Sequence, residues 1–377
     1  MSPTEKPKES LAAALQRVYP ELDAVRAVAT AEPVYLVGGA VRDLLLGRDR
    51  ADIDIVVEGD AAALAARLGA DAVSHERFAT AKVNLDGHRV DIAAARKESY
   101  PHPGSLPVVE PAVGVEADLA RRDFTINAMA IPLHGEPSLI DPHGGQADLA
   151  NRSLRVLHPR SFVDDPTRAL RAARYAARFD FGLEPETAAQ LAKTDLATVS
   201  VDRRDAELSR LAGEASAPLA FRLVEQWGLL VLCDGGAELV ERVAALLAED
   251  PWHEFVPRNR ALLAAALDAL SGEKDLARSQ PARPSEAVAL AAGHSKLELL
   301  LARALGAEWL DRYLNEWRDV RLEIDGGALI EAGVPQGPAI GRGLGEALRR
   351  KLDGEVSGWE QELNVALAVA RSDDAVA

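Results

Sequence analysis

VYLVGGAVRDLLLG, Val34 to Gly47, followed closely by ADIDIVVEGD, Ala51 to Asp60, decides the fold class. In the first stretch Tyr35 to Val37 predict a buried strand, Gly38 and Gly39 a tight turn, and Ala40 to Leu46 a short helix that Gly47 ends. Such a connection points the first N–H groups of the helix at whatever lies above the turn, which suits phosphate oxygens; a plain strand-to-helix link would use the same residues. In the second stretch side chains alternate, so Asp52 and Asp54 share one face of a strand and Ile53 and Ile55 the other. Like charges one repeat apart repel, and aspartate is disfavoured in strands. A divalent cation between the two carboxylates resolves both objections. The alternative is a solvated edge strand carrying two exposed acids.

Outward from this stretch, AKVNL and HRVDIA flank Asp86-Gly87, a hairpin turn signal. The hairpin places Asp91 on a neighbouring strand, with Val90 and Ile92 facing the other way. Asp91 can orient a reacting hydroxyl or a metal, or simply face solvent. The first thirty residues read as a tether and a helix. Short strand-like runs continue to about Ile131, and from about Ala147 Ala/Leu helical periodicity takes over. Two breaks interrupt it, ARSQPARPSE (Ala277 to Glu286) and GVPQGPAIGRG (Gly333 to Gly343).

Two charged segments follow the strands. In RRDFTINAMA (Arg121 to Ala130), Arg121, Arg122 and Asp123 flank a buried strand or turn whose apolar residues are Phe124, Ile126 and Met129, and Asp123 is placed to orient a guanidinium. In DDPTRALRAARYAARF (Asp164 to Phe179), Asp165 and Pro166 make a helix start, as N-cap and first helical residue. At about 100° per residue, Arg168, Arg171, Arg174 and Arg178 fall within roughly 120° of one face. With no acid on that face, the stripe reads as an anion site.

Composition bounds the partners. No apolar run of the 377-residue chain reaches the roughly 18 residues of a membrane span, and MSPTEKPKES lacks a signal-peptide core, so a cytoplasmic protein with no membrane partner is expected. The one cysteine, Cys233, excludes a disulfide scaffold or thiolate metal cluster and reads as a packing residue. His75, His88 and His253 show no ligand spacing. A net charge of −16 argues against a general nucleic-acid coat. Arginines clustered beside the motifs instead suit a local guanidinium groove in an acidic shell.

Taken together and in this order, LVGGAVRDLLLG, ADIDIVV, RRDFTINAMA, DPHGG (Asp141 to Gly145) and DDPTRALRAARYAARF resemble the class II tRNA nucleotidyltransferase and bacterial poly(A) polymerase family, a branch of the DNA polymerase β superfamily. The resemblance implies an α+β protein: a small mixed α/β nucleotidyltransferase head (31–146) after the tether and helix (1–30), then an all-helical neck (147–210), body (211–320) and tRNA-contacting tail (321–377). It implies that Asp52 and Asp54 bind catalytic Mg²⁺; the hairpin reading, not the resemblance, adds Asp91 as a candidate third catalytic acid. By the same resemblance Gly38, Gly39, Arg42 and Arg122 meet the nucleotide, Asp165 and Arg168 read its base, and Arg171 and Arg174 add further contacts. The implied substrates are CTP and/or ATP and the 3′ end of tRNA.

Two departures bear on the product. The base-reading motif opens with Asp164 where relatives often have glutamate, and SYPHPGSLPVVEP resembles a variant seen in relatives that add only part of CCA. No His-Asp dipeptide marks the phosphohydrolase domain fused to some relatives. CCA, CC, A and poly(A) addition all stay open, as do two other classes, a catalytically idle tRNA-binding protein and a small-molecule adenylyltransferase. Intact Asp52 and Asp54 count against the idle protein, and the arginine motifs against the small-molecule enzyme.

Overall fold

The computed structural model describes residues 9–29, 31–48, 52–69, 73–75 (backbone only) and 80–372. It forms two compact units, Met1–Val231 and Leu232–Ala377. The expected tether falls largely outside the described residues. The N-terminal helix is in fact two, α1 (Leu11–Val18) and α2 (Leu22–Val28), because Pro20 has no N–H with which to continue the first.

The strand pattern around Asp54 becomes a six-stranded sheet. Its strands are β1 (Val34–Val37), β2 (Ile53–Val57), β3 (Val73–His75), β4 (Thr80–Leu85), β5 (His88–Ala94) and β8 (Ala130–Pro132), in the order β3-β4-β5-β2-β1-β8. Among the described residues of this sheet only β2 and β5 run parallel, in a register that sets Asp54 beside Asp91. The β4–β5 hairpin closes through Asp86 (φ 51°) and Gly87 (φ 83°), two left-handed residues that match the strand twist. Ile53, Ile55, Val83, Val90 and Ile92 are buried in the sheet, so the opposite face is left to the acids. Helix α3 (Gly39–Leu45) follows β1, and α4 (Ala61–Leu68) follows β2, with Asp60 capping its first turn.

Two elements were not foreseen. A ribbon of β6 (Arg96–Ser99) and β7 (Val108–Pro111) stands off the sheet, and α5 (Val115–Leu119) leads from it into the Arg121 segment. That segment is a 3-10 turn (Thr125–Asn127) running into β8, with Phe124, Ile126 and Met129 fully buried. Past α6 (Gly145–Ala150) only β9 (Ser153–Leu154) and β10 (Gly182–Leu183) interrupt the helices α7 (Ser161–Asp164), α8 (Thr167–Phe179), α9 (Pro185–Leu191), α10 (Val201–Gly213) and α11 (Ala217–Gln226). Helix α8 packs against α10 and α11.

The second unit is helical throughout: α12 (Gly236–Leu246), α13 (Arg258–Leu267), α14 (Ser271–Arg278), α15 (Pro284–Ala291), α16 (Lys296–Leu305), α17 (Trp309–Arg312), α18 (Gly326–Glu331), α19 (Pro338–Leu352) and α20 (Trp359–Ser372). Each proline-containing break spans an interhelical gap, and in each the second proline, Pro284 or Pro338, becomes the first helical residue. Buried Trp252 donates to Asp311 at 2.7 Å, and Gly343 admits Ala366 O to within 2.5 Å of where a Cβ would sit, so α19 and α20 touch backbone to backbone. Cys233 packs as expected, its thiol donating to Ala265 O. No helix among the described residues is long and apolar enough to cross a membrane.

Candidate active site

The fold gathers every residue singled out in the sequence onto one cleft of about 1010 Å³ in the first unit: Gly38, Gly39, Arg42, Asp52, Asp54, Asp91, Arg122, Asp165, Arg168, Arg171 and Arg174 all line it. Asp54 lies on β2 and Asp52 immediately before that strand. Burial pushes the Asp54 carboxyl up to about 6; the Arg122 guanidinium opposes the rise, and the charges of Asp91 and Asp52 add to it. Three carboxylates are therefore held together against their mutual repulsion, an arrangement that a divalent cation relieves. Among the described residues no group of three or more His, Cys, Asp or Glu forms a ready-made metal cage. Arg89 grips the Asp91 carboxylate with two bonds of 3.0 and 2.7 Å. Asp52 and Asp54 thus fit an open cation site whose remaining ligands come from a substrate.

The glycine turn has a steric purpose. Gly38 sits at φ 68°, and a Cβ there would lie 2.6 Å from Arg122 Nη1 and 3.8 Å from Asp54 Oδ2. The Arg122 guanidinium therefore passes directly over the turn beside the carboxylate. It is aimed by Asp118, a fully buried acid on α5 that accepts from Arg122 Nη2 (3.0 Å) and from Arg121 Nε (2.9 Å). Sequence reasoning overlooked Asp118, although its i,i+3 and i,i+4 spacing to the two arginines carried the signal.

Arg42 is placed differently from its expected role. It is only 4% exposed, with a bidentate pair to neighbouring Asp43 (2.8 and 3.0 Å), a 2.6 Å bond to Asn127 Oδ1 and its plane stacked over Phe179. It lies beneath Gly39, so its charge reaches the cleft through the turn and its donors are engaged elsewhere. From Asn127 the network continues to Asp123, which accepts 3.0 Å from Asn127 Nδ2 and 2.8 and 2.5 Å from Arg171. Burial works against the Asp123 charge, but Arg171 and Asn127 outweigh it and hold the carboxyl well below the usual carboxylate range. The orienting role expected of Asp123 is seen, directed at Arg171.

The arginine stripe requires a correction. Helix α8 itself carries no compensating acid on that face, but other elements bring them: Glu207 of α10 lies 3.6 Å from Arg171 and 4.0 Å from Arg174, and Arg178 sits 3.5 Å from Glu214 and 3.8 Å from Asp43. The stripe is partly neutralised. What remains open is specific: Arg168 Nη1 and Arg174 Nε are buried and meet no hydrogen-bond partner among the described residues. Helix α8 starts one residue later than expected, with Pro166 rather than Asp165 at the N-cap, but Asp165 still accepts from the first helical N–H and lines the cleft. Its Oδ1 accepts from Thr167 N (3.1 Å), Thr167 Oγ1 (2.6 Å) and Arg203 Nη2 (2.9 Å), while Arg168 Nη2 is fixed on Arg121 O at 2.9 Å. Arg203, which also donates to Gly104 O at 2.7 Å and Ser105 O at 3.3 Å, lies 38 residues beyond Asp165, where no local pattern could announce it.

Comparison with known proteins shows the family. Residues 34–155 match the poly A polymerase head domain. A CC-adding tRNA nucleotidyltransferase of Deinococcus radiodurans is 36% identical over 344 residues, 87% of this chain and 87% of that protein. An A-adding tRNA nucleotidyltransferase of Halalkalibacterium halodurans is 44% identical over 205 residues, 51% of this chain, and the match spans about half (48%) of that relative's length. Among solved structures, a Thermotoga maritima CCA-adding enzyme complexed with tRNA superposes with a TM-score of 0.74 at 31% identity, covering 94% of this chain and 97% of that one. Nucleotidyltransferases of this kind generally use divalent metal ions. The chain belongs to the tRNA nucleotidyltransferase family built on the poly A polymerase head domain.

Proposed function

We propose that this chain adds some or all of the terminal CCA to the 3′ end of tRNA, taking CTP and/or ATP as donor, releasing pyrophosphate and using no nucleic-acid template. The observation that carries the reading is that Asp52, Asp54 and Asp91 line one cleft together with Asp165 and Arg168. A small-molecule adenylyltransferase has no need of that pair, and an idle binding protein has no need of repelling carboxylates.

The roles follow from position. Asp52 and Asp54 would hold Mg²⁺, and the chemistry the ion supplies when bound is acidification of the RNA 3′-hydroxyl and neutralisation of charge at the α-phosphate. Asp91, steadied by Arg89, accepts a hydrogen bond from that hydroxyl and orients it. Arg122, spread over Gly38, contacts the triphosphate, and Arg42 adds positive potential from beneath the turn. The remaining carboxylate oxygen of Asp165 and Nη1 of Arg168 read the base. Cytosine and adenine both present an amine donor next to a ring-nitrogen acceptor, which a carboxylate and a guanidinium complement; guanine and uracil present the reverse. Arg171 and Arg174 complete the nucleotide's surroundings. The neck (147–210), body (211–320) and tail (321–377) hold the acceptor arm by shape and phosphates, in the cytoplasm where tRNA ends are finished.

Incubation with tRNAs ending at the discriminator base, C or CC, with CTP, ATP or both, resolved to single nucleotides, tests the reading and fixes the product. Extension confined to CTP, or to ATP on CC ends, identifies a partial adder. No extension of any end refutes the assignment.

A further inference from the structure

The sheet face that carries the acids does not stop at them. Asp54 pairs with Asp91 across β2 and β5, and Asp91 pairs with Lys82 across β5 and β4, so Asp54, Asp91 and Lys82 form one row on one face. Arg89, two residues before Asp91, lies on the same face. Lys82 is exposed, lines the cleft, and has no hydrogen bond or ion pair among the described residues. Arg89 uses Nε and Nη2 on Asp91, and its guanidinium is 56% exposed.

The order of strands gives these cations a direction. Carboxylate strand β2 has the glycine-turn strand β1 on one side and β5 then β4 on the other. In an in-line displacement the attacking and leaving oxygens lie on opposite sides of the phosphorus. With the triphosphate over the glycine turn and Arg122, pyrophosphate departs on the β1 side and the attacking hydroxyl arrives from the β5–β4 side. An RNA 3′-hydroxyl brings its own phosphodiester one nucleoside away, and that charge must sit somewhere near three carboxylates that repel it. Lys82 and Arg89 are the cations at that place.

We propose that Lys82, with Arg89 beside it, seats the last phosphodiester of the RNA acceptor and so positions the terminal hydroxyl at Asp54 and Asp91. The inference rests on the transfer reading above and assigns the acceptor side of the site. Lys82 is a positioning residue, so the test must separate phosphate recognition from general charge. The probe is an RNA acceptor with one uncharged methylphosphonate in place of its last phosphodiester, compared with the unmodified RNA on wild type, Lys82→Ala, Lys82→Arg and, as a control exposed lysine of the head outside the cleft, Lys97→Ala.

For wild type the methylphosphonate lowers kcat/KM for RNA about tenfold, the scale of one charge-assisted contact. Lys82→Ala lowers it about as much on natural RNA, leaves KM for the nucleotide unchanged, and suffers no further loss with the modified RNA. Its RNA affinity also falls less steeply with salt, the logarithmic slope shrinking by about 0.7. Lys82→Arg retains the wild-type response. Multiplicative losses in the combination, or a Lys82→Ala protein indistinguishable from Lys97→Ala, overturn the role of Lys82 while leaving the transfer reading intact. A wild-type protein that extends no tRNA end overturns the transfer reading itself.

Discussion

Replacing Asp54 by asparagine is expected to stabilise the metal-free protein at neutral pH while removing its activity. Asp54 ionises near 6 against 3.8 for an unhindered aspartate, because burial and the Asp91 and Asp52 charges disfavour its anion in the fold. At about 1.4 kcal/mol per tenfold change in proton affinity, holding that anion at pH 8 costs up to about 3 kcal/mol. Local relaxation and entry of water reduce the recoverable part to roughly 1–2 kcal/mol. The penalty is absent below pH 3.8, where the carboxyl is protonated in folded and unfolded chains alike. It grows as pH rises towards 6 and is complete above about 7. Asp54→Asn should therefore raise the Tm of EDTA-treated protein by about 3–6 °C at pH 8, and by nothing measurable near pH 4. Millimolar Mg²⁺ should raise the Tm of wild type and not that of the variant. The assay is a thermal melt at the two pH values with and without the ion. A loss of stability at pH 8, or an equal gain at both pH values, would refute the reading of Asp54 as a strained carboxylate awaiting a cation.

Asp165→Ser keeps a side-chain oxygen for the Thr167 N–H, so the fold should hold, but rejection of GTP and UTP should weaken by at least about tenfold; unchanged nucleotide preference in single-turnover assays would reduce Asp165 to a helix cap. Arg203→Ala frees the Asp165 carboxylate on one side and should relax the same discrimination, with little added when combined with Asp165→Ser; additive losses in the double variant would show that Arg203 acts elsewhere. Gly38→Ala places a Cβ 2.6 Å from Arg122 Nη1 at φ 68° and should cut transfer by more than about tenfold through displacement of Arg122, with only about 1–2 kcal/mol lost from the fold. Near-normal kcat/KM for the nucleotide in that variant would contradict the place given to Arg122.

Much of the site could be read from the sequence because it is built from short-range rules. The alternation of Asp52, Ile53, Asp54 and Ile55 fixes which face is wet, and Asp86-Gly87 fixes the hairpin that puts Asp91 on β5 opposite Lys82; the parallel β2–β5 register that sets Asp91 beside Asp54 is long-range. Glycines 38 and 39 marked a turn, but not that the space they leave is occupied by Arg122. What escaped was long-range. Glu207 and Arg203 reach the cleft from α10, and Asn127, 85 residues along the chain, pulls Arg42 inward, none of which local periodicity can express. The stripe on α8 looked bare because only its own helix was counted. The ribbon of β6 and β7 was hidden by Pro101, Pro103 and Pro107, which mark its tip and break the alternation on which strand recognition depends.

The central claim is that this cleft transfers nucleotides and that its acidic row is the seat of the reaction. One measurement tests it: pyrophosphate released per tRNA extended, on tRNA lacking its terminal nucleotides, with CTP, ATP, GTP and UTP each supplied alone and together, for wild type and Asp54→Ala. Wild type should release one pyrophosphate for every nucleotide added, from CTP or ATP and not from GTP or UTP, and Asp54→Ala should release none while still binding tRNA. Release of pyrophosphate without tRNA extension, or transfer by Asp54→Ala at the wild-type rate, would contradict the account.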